Sequence, residues 1–232
     1  KNKKTPLVKE LFREVSENYD LMNDIMSFGV HRIWKNNFLD WMAPRQNYHL
    51  LDLAGGTGDI AQGFLNRGGG KAIIADLNYQ MLSVGKQKNS STGVNDNLSW
   101  LGCNGENLPF NDNNFDIVSI SFGLRNITHK SIALNEIFRV LKPGGRFMCL
   151  EFSKVNISVL NLFYQIWSSK VIPTLGAKIS GQKENYEYLI ESIKRFPDQN
   201  ELSSLISNSN FISVKYRNLS GGIAAIHSGW KI

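Results

Sequence analysis

Short apolar runs alternate with stretches of helical spacing through the middle of the chain. Leu50, Leu51 and Leu53 form a run too short for a helix, which reads as a buried strand. Residues 71–76, 97–102, 115–121 and 145–152 read the same way. Between them, 59–67, 79–89 and 129–141 carry helical spacing, with a turn near 105–108. In the last of these helices Ala133, Ile137 and Leu141 lie beside Leu134 and Phe138, and Pro143-Gly144-Gly145 predicts its stop. Strands alternating with helices require right-handed crossovers and a mostly parallel sheet. Further on, Asp198 predicts the cap of a helix running through Ser207. Two last strands, 211–217 and 223–227, are joined by a short turn at Gly221-Gly222 and must be antiparallel. The expected fold is α/β and Rossmann-like: a seven-stranded, mostly parallel sheet ending in an antiparallel hairpin, with helices on both faces.

The flanks read differently. Residues 6–43 predict two or three helices, with Leu7, Leu11, Val15 and Asn18 on one face. A turn-rich link from Tyr19 to Gly29 follows, then apolar positions Ile33, Trp34, Phe38, Leu39, Trp41 and Met42, ended by Pro44. Met22, Met26 and Phe28 suit packing on the main domain or the lining of an apolar pocket. Residues 154–195 interrupt the alternation with Leu160, Phe163, Tyr164 and Trp167, a loop, and a helical run at 183–194. An insertion that long covers a substrate site or is a helix pair that only packs. The expected organisation is one domain, 1–232. It comprises an N-terminal helical cap (1–46), a cofactor-binding core (47–153), a substrate-covering insertion (154–195) and a C-terminal helix and hairpin (196–232).

Composition narrows the class. A chain of 232 residues with 42% hydrophobic and 20% charged positions suits one globular α/β domain. Cys103 and Cys149 have no metal-like spacing and read as free thiols in a reducing compartment, so no metal is expected. No apolar run reaches the roughly 18 residues of a membrane span, and Lys1-Asn2-Lys3-Lys4 lacks the apolar stretch of a signal peptide. The expected location is the cytoplasm, with peripheral attachment to the inner membrane. The formal net charge is +6, but residues 47–153 balance at 9 basic against 9 acidic, leaving +2 before and +4 after them. Nucleic acid demands a denser basic patch and is not expected as a partner. An anionic membrane surface demands less, since each nearby Lys or Arg contributes about 1 kcal/mol.

Three glycines then follow the first strand within four residues: Leu51-Asp52-Leu53-Ala54-Gly55-Gly56-Thr57-Gly58-Asp59. Strand, glycine bend, helix is the start of a nucleotide-binding βαβ unit, where a ligand approaches bare backbone. Asp76 closes the second strand, 18 residues beyond Gly58, where such folds place an acid on ribose hydroxyls. Gly56-x-Gly58-x-x-Ala61 also fits a loose dinucleotide fingerprint, so an NAD(P)-dependent oxidoreductase is one reading. Asp52 and Asp59 repel a pyrophosphate, however, and suit a ligand carrying positive charge. Asp59 alone also reads as a first-turn acid favoured by the helix dipole. In an open parallel sheet, ligands bind at the carboxyl ends of the strands. The remaining candidate loops are therefore Gly102 to Phe110, Ser121 to Asn126, and Glu151 to Ser153.

These motifs resemble the ubiquinone/menaquinone biosynthesis C-methyltransferase family. The matching pieces are Tyr19-Asp20-Leu21-Met22-Asn23-Asp24, Met26-Ser27-Phe28-Gly29-x-His31-Arg32-x-Trp34-Lys35, the glycine stretch, Ser121-Phe122-Gly123-Leu124-Arg125-Asn126, and Arg139 to Gly145 running on to Ser153. Gly221-Gly222-Ile223-Ala224-Ala225-Ile226-His227 is also similar. Val155 and the Gly68-Gly69-Gly70 turn depart from the family pattern, away from these motifs. The resemblance implies a class I methyltransferase fold and S-adenosylmethionine as cofactor. The implied substrate is a polyprenylated benzoquinol of the 2-methoxy-6-polyprenyl-1,4-benzoquinol type, demethylmenaquinol, or both. It implies cofactor positions at Thr57, Asp76, Asn104, Gly105 and Ser121, beside the Asp52, Gly55, Gly56 and Gly58 already singled out.

C-methylation of a quinol needs a proton acceptor or a cation beside a developing oxyanion. Arg125 is too basic to accept a proton and suits the oxyanion, with Asn126 as a neutral donor. A clamp from loop to carboxylate is the other reading of Arg125. His31 has a suitable pKa for proton acceptance, and Tyr19 and Asp20 are further options; a helix-start histidine satisfied by backbone is the alternative for His31. The Met22/Met26/Phe28 segment and the insertion are the expected groove for the prenyl tail. A homodimer or a quinone-biosynthetic complex is compatible with the chain, and a non-catalytic lipid-binding subunit of such a complex is the remaining rival.

Overall fold

The computed structural model describes residues 29–91, 96–155 and 183–232. Seven strands form one sheet in the order β3-β2-β1-β4-β5-β7-β6. They are β1 (His49–Leu53), β2 (Lys71–Asp76), β3 (Leu98–Gly102), β4 (Phe115–Ser121), β5 (Leu141–Phe152), β6 (Ile212–Leu219) and β7 (Ala224–Trp230). β1 to β5 pair in parallel, and β7 runs antiparallel to both β5 and β6. The strand order reverses at β1 and β4, so the crevice expected for a ligand opens there.

Six helices are described: α1 (His31–Met42), α2 (Asp59–Asn66), α3 (Tyr79–Ser91), α4 (Lys130–Val140), α5 (Lys183–Lys194) and α6 (Gln199–Asn208). The two-residue period of the strands divides the core. Leu50, Met148, Leu150, Phe152 and Ile226 pack with Trp34, Phe38, Leu39 and Met42 of α1 and with Ile60 and Phe64 of α2. Leu51, Leu53, Val118, Ile120 and Phe147 pack on the other face with Leu134 and Ile137 of α4 and Leu202 and Ile206 of α6. Burial on both faces explains why the central strands read as nearly continuous apolar runs.

The expected helix from 129 to 141 ends at Val140, and Pro143-Gly144-Gly145 does not cap it. Leu141 is already extended and pairs with Phe115 as the first residue of β5. The register then jumps from Phe115↔Leu141 to Ile117↔Arg146, so residues 142–145 form a bulge inside the strand. A proline with no N–H to give, next to a glycine at φ +79°, is tolerated there because the bulge leaves those residues outside the ladder.

Asp198 does cap α6. Its carboxylate accepts the N–H groups of Asn200 and Glu201, while Glu201 accepts the N–H of Asp198. Asp198→Ala is expected to cost about 0.5–2 kcal/mol, seen as a lower urea midpoint with unchanged slope.

The helical cap, the link and the insertion were expected at 6–43 and 154–195. Of these, α1 and α5 stand where the spacing put them. Tyr19, Asp20, Met22, Met26, Phe28, Phe163, Tyr164 and Trp167 lie outside the described residues.

Candidate active site

The bend after β1 begins with Ala54 in the left-handed region at φ +53°, an uncommon conformation for a side-chain-bearing residue. Gly55 then passes directly over Asp52. A Cβ there would lie 2.8 Å from both the carbonyl oxygen and Oδ2 of Asp52. Gly58 closes the bend at φ +85°, and a Cβ on it would lie 2.4 Å from Cδ1 of Ile74. The first glycine is thus demanded by close approach and the last by backbone conformation as well.

Asp52 is fully buried beneath this bend. Its register partner Ser119 on β4 donates to Oδ1 at 2.7 Å, and Oδ2 has no hydrogen-bond partner among the described residues. Burial lifts its pKa to about 7, against the Ser119 and Ala61 hydrogen bonds that oppose the rise. Asp59, one residue past Gly58, is answered by the Lys35 ammonium at 2.6 Å. Burial pushes the Asp59 pKa up, but Lys35, by charge and hydrogen bond, outweighs it and holds the carboxyl below its usual value.

A stability test follows. Asp52 has an ordinary pKa of 3.8 and a folded value of about 7, so the folded chain keeps a proton that the unfolded chain releases. The associated stability is complete below about pH 4 and is lost as pH rises through about 7. Asp52→Asn removes this slope. It is expected to melt above the parent at pH 8 and close to it near pH 4, in parallel thermal scans.

Asp76 ends β2 and ties the bend to the next loop. One carboxylate oxygen accepts the Gly56 N–H at 2.9 Å and the other the Asn78 N–H at 2.8 Å. Burial raises its pKa despite these bonds. Beyond β3, Asn104 is exposed and accepts the Glu106 N–H through Oδ1, while a Cβ on Gly105 would rest in contact with Leu53. Glu106 accepts the His129 N–H, so its carboxylate is engaged in holding the loop. Thr57 is half-buried, with its hydroxyl 3.4 Å from Asp59. Ser121, at the carboxyl end of β4, keeps a buried hydroxyl with no hydrogen-bond partner among the described residues.

After β4 the chain turns through Phe122, at φ +55°, into a 3-10 turn, Leu124–Asn126. Arg125 points inward. Its Nη1 lies 2.7 Å from Glu151 Oε1, with the two side chains 2% and 1% exposed. The Glu151 carboxylate also accepts the Arg125 and Phe152 N–H groups. The loops after β4 and β5 are therefore locked together by one buried ion pair. Asn126 lies beside α5, where the Tyr188 hydroxyl is 3.4 Å from its Oδ1. Trp34 of α1 packs tilted against Phe122 and edge-on against Phe152, so α1 lies against the segments that follow β4 and end β5.

His31 is buried at the start of α1. With Arg32, Lys35, Asn36, Asp59 and Arg67 it lines a cleft of about 280 Å³ between α1 and α2. Neither Arg125 nor Asn126 lines that cleft. The structure thus groups Asp52, Gly55, Gly56, Thr57, Gly58 and Asp76 at one bend, and Arg125 and Asn126 at the neighbouring loop. Sequence reasoning missed Tyr188, whose helical surroundings carry no signal of its distant partner. It also missed Lys35, whose partner Asp59 lies 24 residues away.

Comparison with known proteins decides between the readings of this site. Residues 1–231 match the model of the ubiE/COQ5 methyltransferase family. The chain belongs to the ubiE/COQ5 methyltransferase family. A relative from Brucella abortus, named ubiquinone/menaquinone biosynthesis C-methyltransferase UbiE, is 48% identical, with 100% of this chain and 87% of the relative covered. The protein of the same name from Bartonella bacilliformis is also 48% identical, with 99% and 90% covered. Among solved structures, a possible histamine N-methyltransferase from Thermotoga maritima, described as S-adenosylmethionine-dependent, superposes with a TM-score of 0.68 at 18% identity, covering 97% and 99%. A Haemonchus contortus phosphoethanolamine N-methyltransferase solved with S-adenosyl-L-methionine gives 0.63 at 14%, covering 85% of this chain and 52% of that one. These structures bear on the fold, which is that of a class I methyltransferase. Membership of the ubiE/COQ5 family leaves the dinucleotide oxidoreductase and the non-catalytic subunit without support.

The residues present fit the cofactor of such a methyltransferase. Ser121 Oγ, at the carboxyl end of β4, has no hydrogen-bond partner among the described residues and is a polar atom that a bound molecule can satisfy. Acids at Asp52 and Asp76, in place of phosphate-binding cations, match a donor that carries positive charge. Among the described residues no group of three or more His, Cys, Asp or Glu is placed to hold a metal.

Proposed function

We propose that this protein transfers a methyl group from S-adenosylmethionine to a ring carbon of a polyprenylated quinol in quinone biosynthesis. The substrate is a 2-methoxy-6-polyprenyl-1,4-benzoquinol, a demethylmenaquinol, or both. The observation that carries this reading is 48% identity over the whole chain to proteins named for that reaction. The cofactor supplies an electrophilic methyl group on a sulfonium sulfur.

The chain's own residues do the rest. Asp76 takes the ribose hydroxyls. Asn104, Gly105 and Ser121 border the same ligand, Thr57 and the glycines give it backbone, and Asp52 lies below as a buried acid whose ionisation a positively charged ligand favours. The quinol ring becomes nucleophilic as its hydroxyl loses a proton, so the site must favour an oxyanion. Asn126 is the neutral donor to that oxygen. Arg125 adds positive potential while paired to Glu151, and the pair keeps the loop carrying Asn126 in place. His31, Tyr19 and Asp20 are the candidate proton acceptors. His31 opens α1 and lines the cleft that also holds Lys35 and Asp59. The Met22/Met26/Phe28 segment and the insertion are the candidate groove for the tail. Such a substrate resides in lipid, so the protein works at a membrane surface as a peripheral protein; no helix among the described residues is long and apolar enough to cross one. A homodimer or a larger quinone-biosynthetic assembly is compatible with this reading.

Quinone profiling of a strain lacking this protein tests the proposal. Accumulation of the unmethylated precursor is expected, and a normal quinone profile would remove the assignment.

A further inference from the structure

One cluster of cations plays no part in the site described above. Trp41, at the end of α1, has the Arg217 Cζ 4.1 Å from its ring centre and the Arg146 Cζ 5.0 Å away. Arg146 also lies 5.0 Å from the ring centre of Trp230, and Arg45 lies 5.4 Å from that of Tyr48. The sheet builds this row. Arg146 pairs with Trp230 across β5 and β7, and Lys215 and Arg217 alternate on the edge strand β6. Arg146 is fixed by hydrogen bonds to the Ser228 hydroxyl at 2.6 Å and the Trp41 carbonyl at 2.8 Å.

Among the described residues no carboxylate answers these charges. Arg45, Arg146, Lys215 and Arg217 make no ion pair among the described residues, and the carboxylates on adjoining elements are engaged elsewhere. Asp40 faces Arg67, and Asp116 is held by Lys142. The repulsion is felt: burial, with Arg217 adding to it, brings the Arg146 pKa down to about 10. Guanidiniums stacked on indoles and left without counter-ions are prepared for oxyanions supplied from outside. Trp230 and Ile212, 37% and 43% exposed, add apolar tips beside them.

We infer that the face formed by Trp41, Arg146, Lys215, Arg217 and Trp230 docks on the phosphate surface of an anionic lipid bilayer. Arginines take phosphates and tryptophans sit at the headgroup level, each as its chemistry favours. A second copy of the chain is a poor occupant, because pairing two β6 edges would set like charges together. Nucleic acid is the other polyphosphate surface, and the three cations of this face fall short of the stripe it requires. Docking by this edge is separate from the carboxyl-end loops, so anchoring and chemistry should be separable by mutation. The inference rests on the reading of a lipid-borne substrate and refines it.

Co-sedimentation of the whole protein with phosphatidylcholine vesicles, with and without phosphatidylglycerol, tests it. Binding is expected only to the anionic vesicles, with a blue shift of tryptophan fluorescence that Trp230→Phe diminishes. The double variant Lys215→Gln/Arg217→Gln, at two exposed positions, is expected to bind about thirty-fold more weakly. Its methyl transfer to a water-soluble short-chain quinol should match the parent's. Equal vesicle binding by parent and double variant, no vesicle binding at all, or displacement from vesicles by a short DNA duplex would each overturn the inference. Arg217-dependent vesicle binding without transfer to any quinol would sink the functional reading and leave the surface standing. Transfer without vesicle binding would do the reverse.

Discussion

Glu151→Ala is expected to be among the most damaging single changes in this chain, lowering stability by about 3–5 kcal/mol. Glu151 and Arg125 are almost completely withdrawn from water, 2.7 Å apart. Alanine at 151 leaves a buried guanidinium, which stays protonated, without its carboxylate. It also removes the acceptor for the Arg125 and Phe152 N–H groups. The loops after β4 and β5 would lose their common anchor, so turnover should fall along with stability. Urea unfolding followed by circular dichroism measures the first effect. The double variant Arg125→Met/Glu151→Met should recover much of the lost stability while leaving turnover low, because two apolar side chains of similar volume avoid the desolvation cost. An unfolding midpoint for Glu151→Ala equal to the parent's would mean that the pair is not shielded from water. Arg125→Ala should cut turnover while sparing donor affinity, which divides the roles of the two loops.

Asp76→Ala is expected to weaken S-adenosylmethionine binding by about 10- to 150-fold, the equivalent of one or two charge-assisted hydrogen bonds. The carboxylate has two tasks. In the proposed reading it offers acceptor sites to ribose hydroxyls, and in the structure it holds the Gly56 and Asn78 N–H groups at 2.9 and 2.8 Å. Alanine therefore loosens the bend as well as emptying it of charge. Asp76→Asn keeps one acceptor oxygen and should fall between alanine and the parent. Calorimetric titration with S-adenosylmethionine orders the three proteins. Equal affinities would place the ribose elsewhere.

Much of this could be read from residues alone. The strands stand where the apolar runs are, because each central strand is buried on both faces and carries few polar interruptions. The glycine bend was legible because a strand, close-set glycines and a helix leave little other choice of backbone. The stop expected at Pro143-Gly144-Gly145 fell in a strand bulge instead. Proline and glycine mark a break in regular pairing, but only the register of β5 on β4 decides whether that break caps a helix or kinks a strand. Side-chain partnerships were the least legible. Arg125 was read both as an oxyanion partner and as a clamp, and the carboxylate that holds it lies 26 residues away. Tyr188, within the insertion, lies 62 residues from Asn126. Local pattern says which element a residue occupies, whereas these contacts depend on how elements are brought together in the sheet. The burial of Asp52 was of the same kind. An acid inside an apolar run can be placed in a strand from sequence, yet its raised pKa arises from α2 and β4 closing around it.

The central claim is that an acid-floored peptide bend holds a sulfonium donor so that a quinol carbon takes its methyl group. The most direct measurement uses S-adenosylmethionine labelled with carbon-13 in the methyl group and a short-chain prenyl quinol, with the product read by nuclear magnetic resonance. The account predicts a new labelled methyl bonded to a ring carbon. A label found on oxygen, or no label in the quinol although the donor binds, would contradict it.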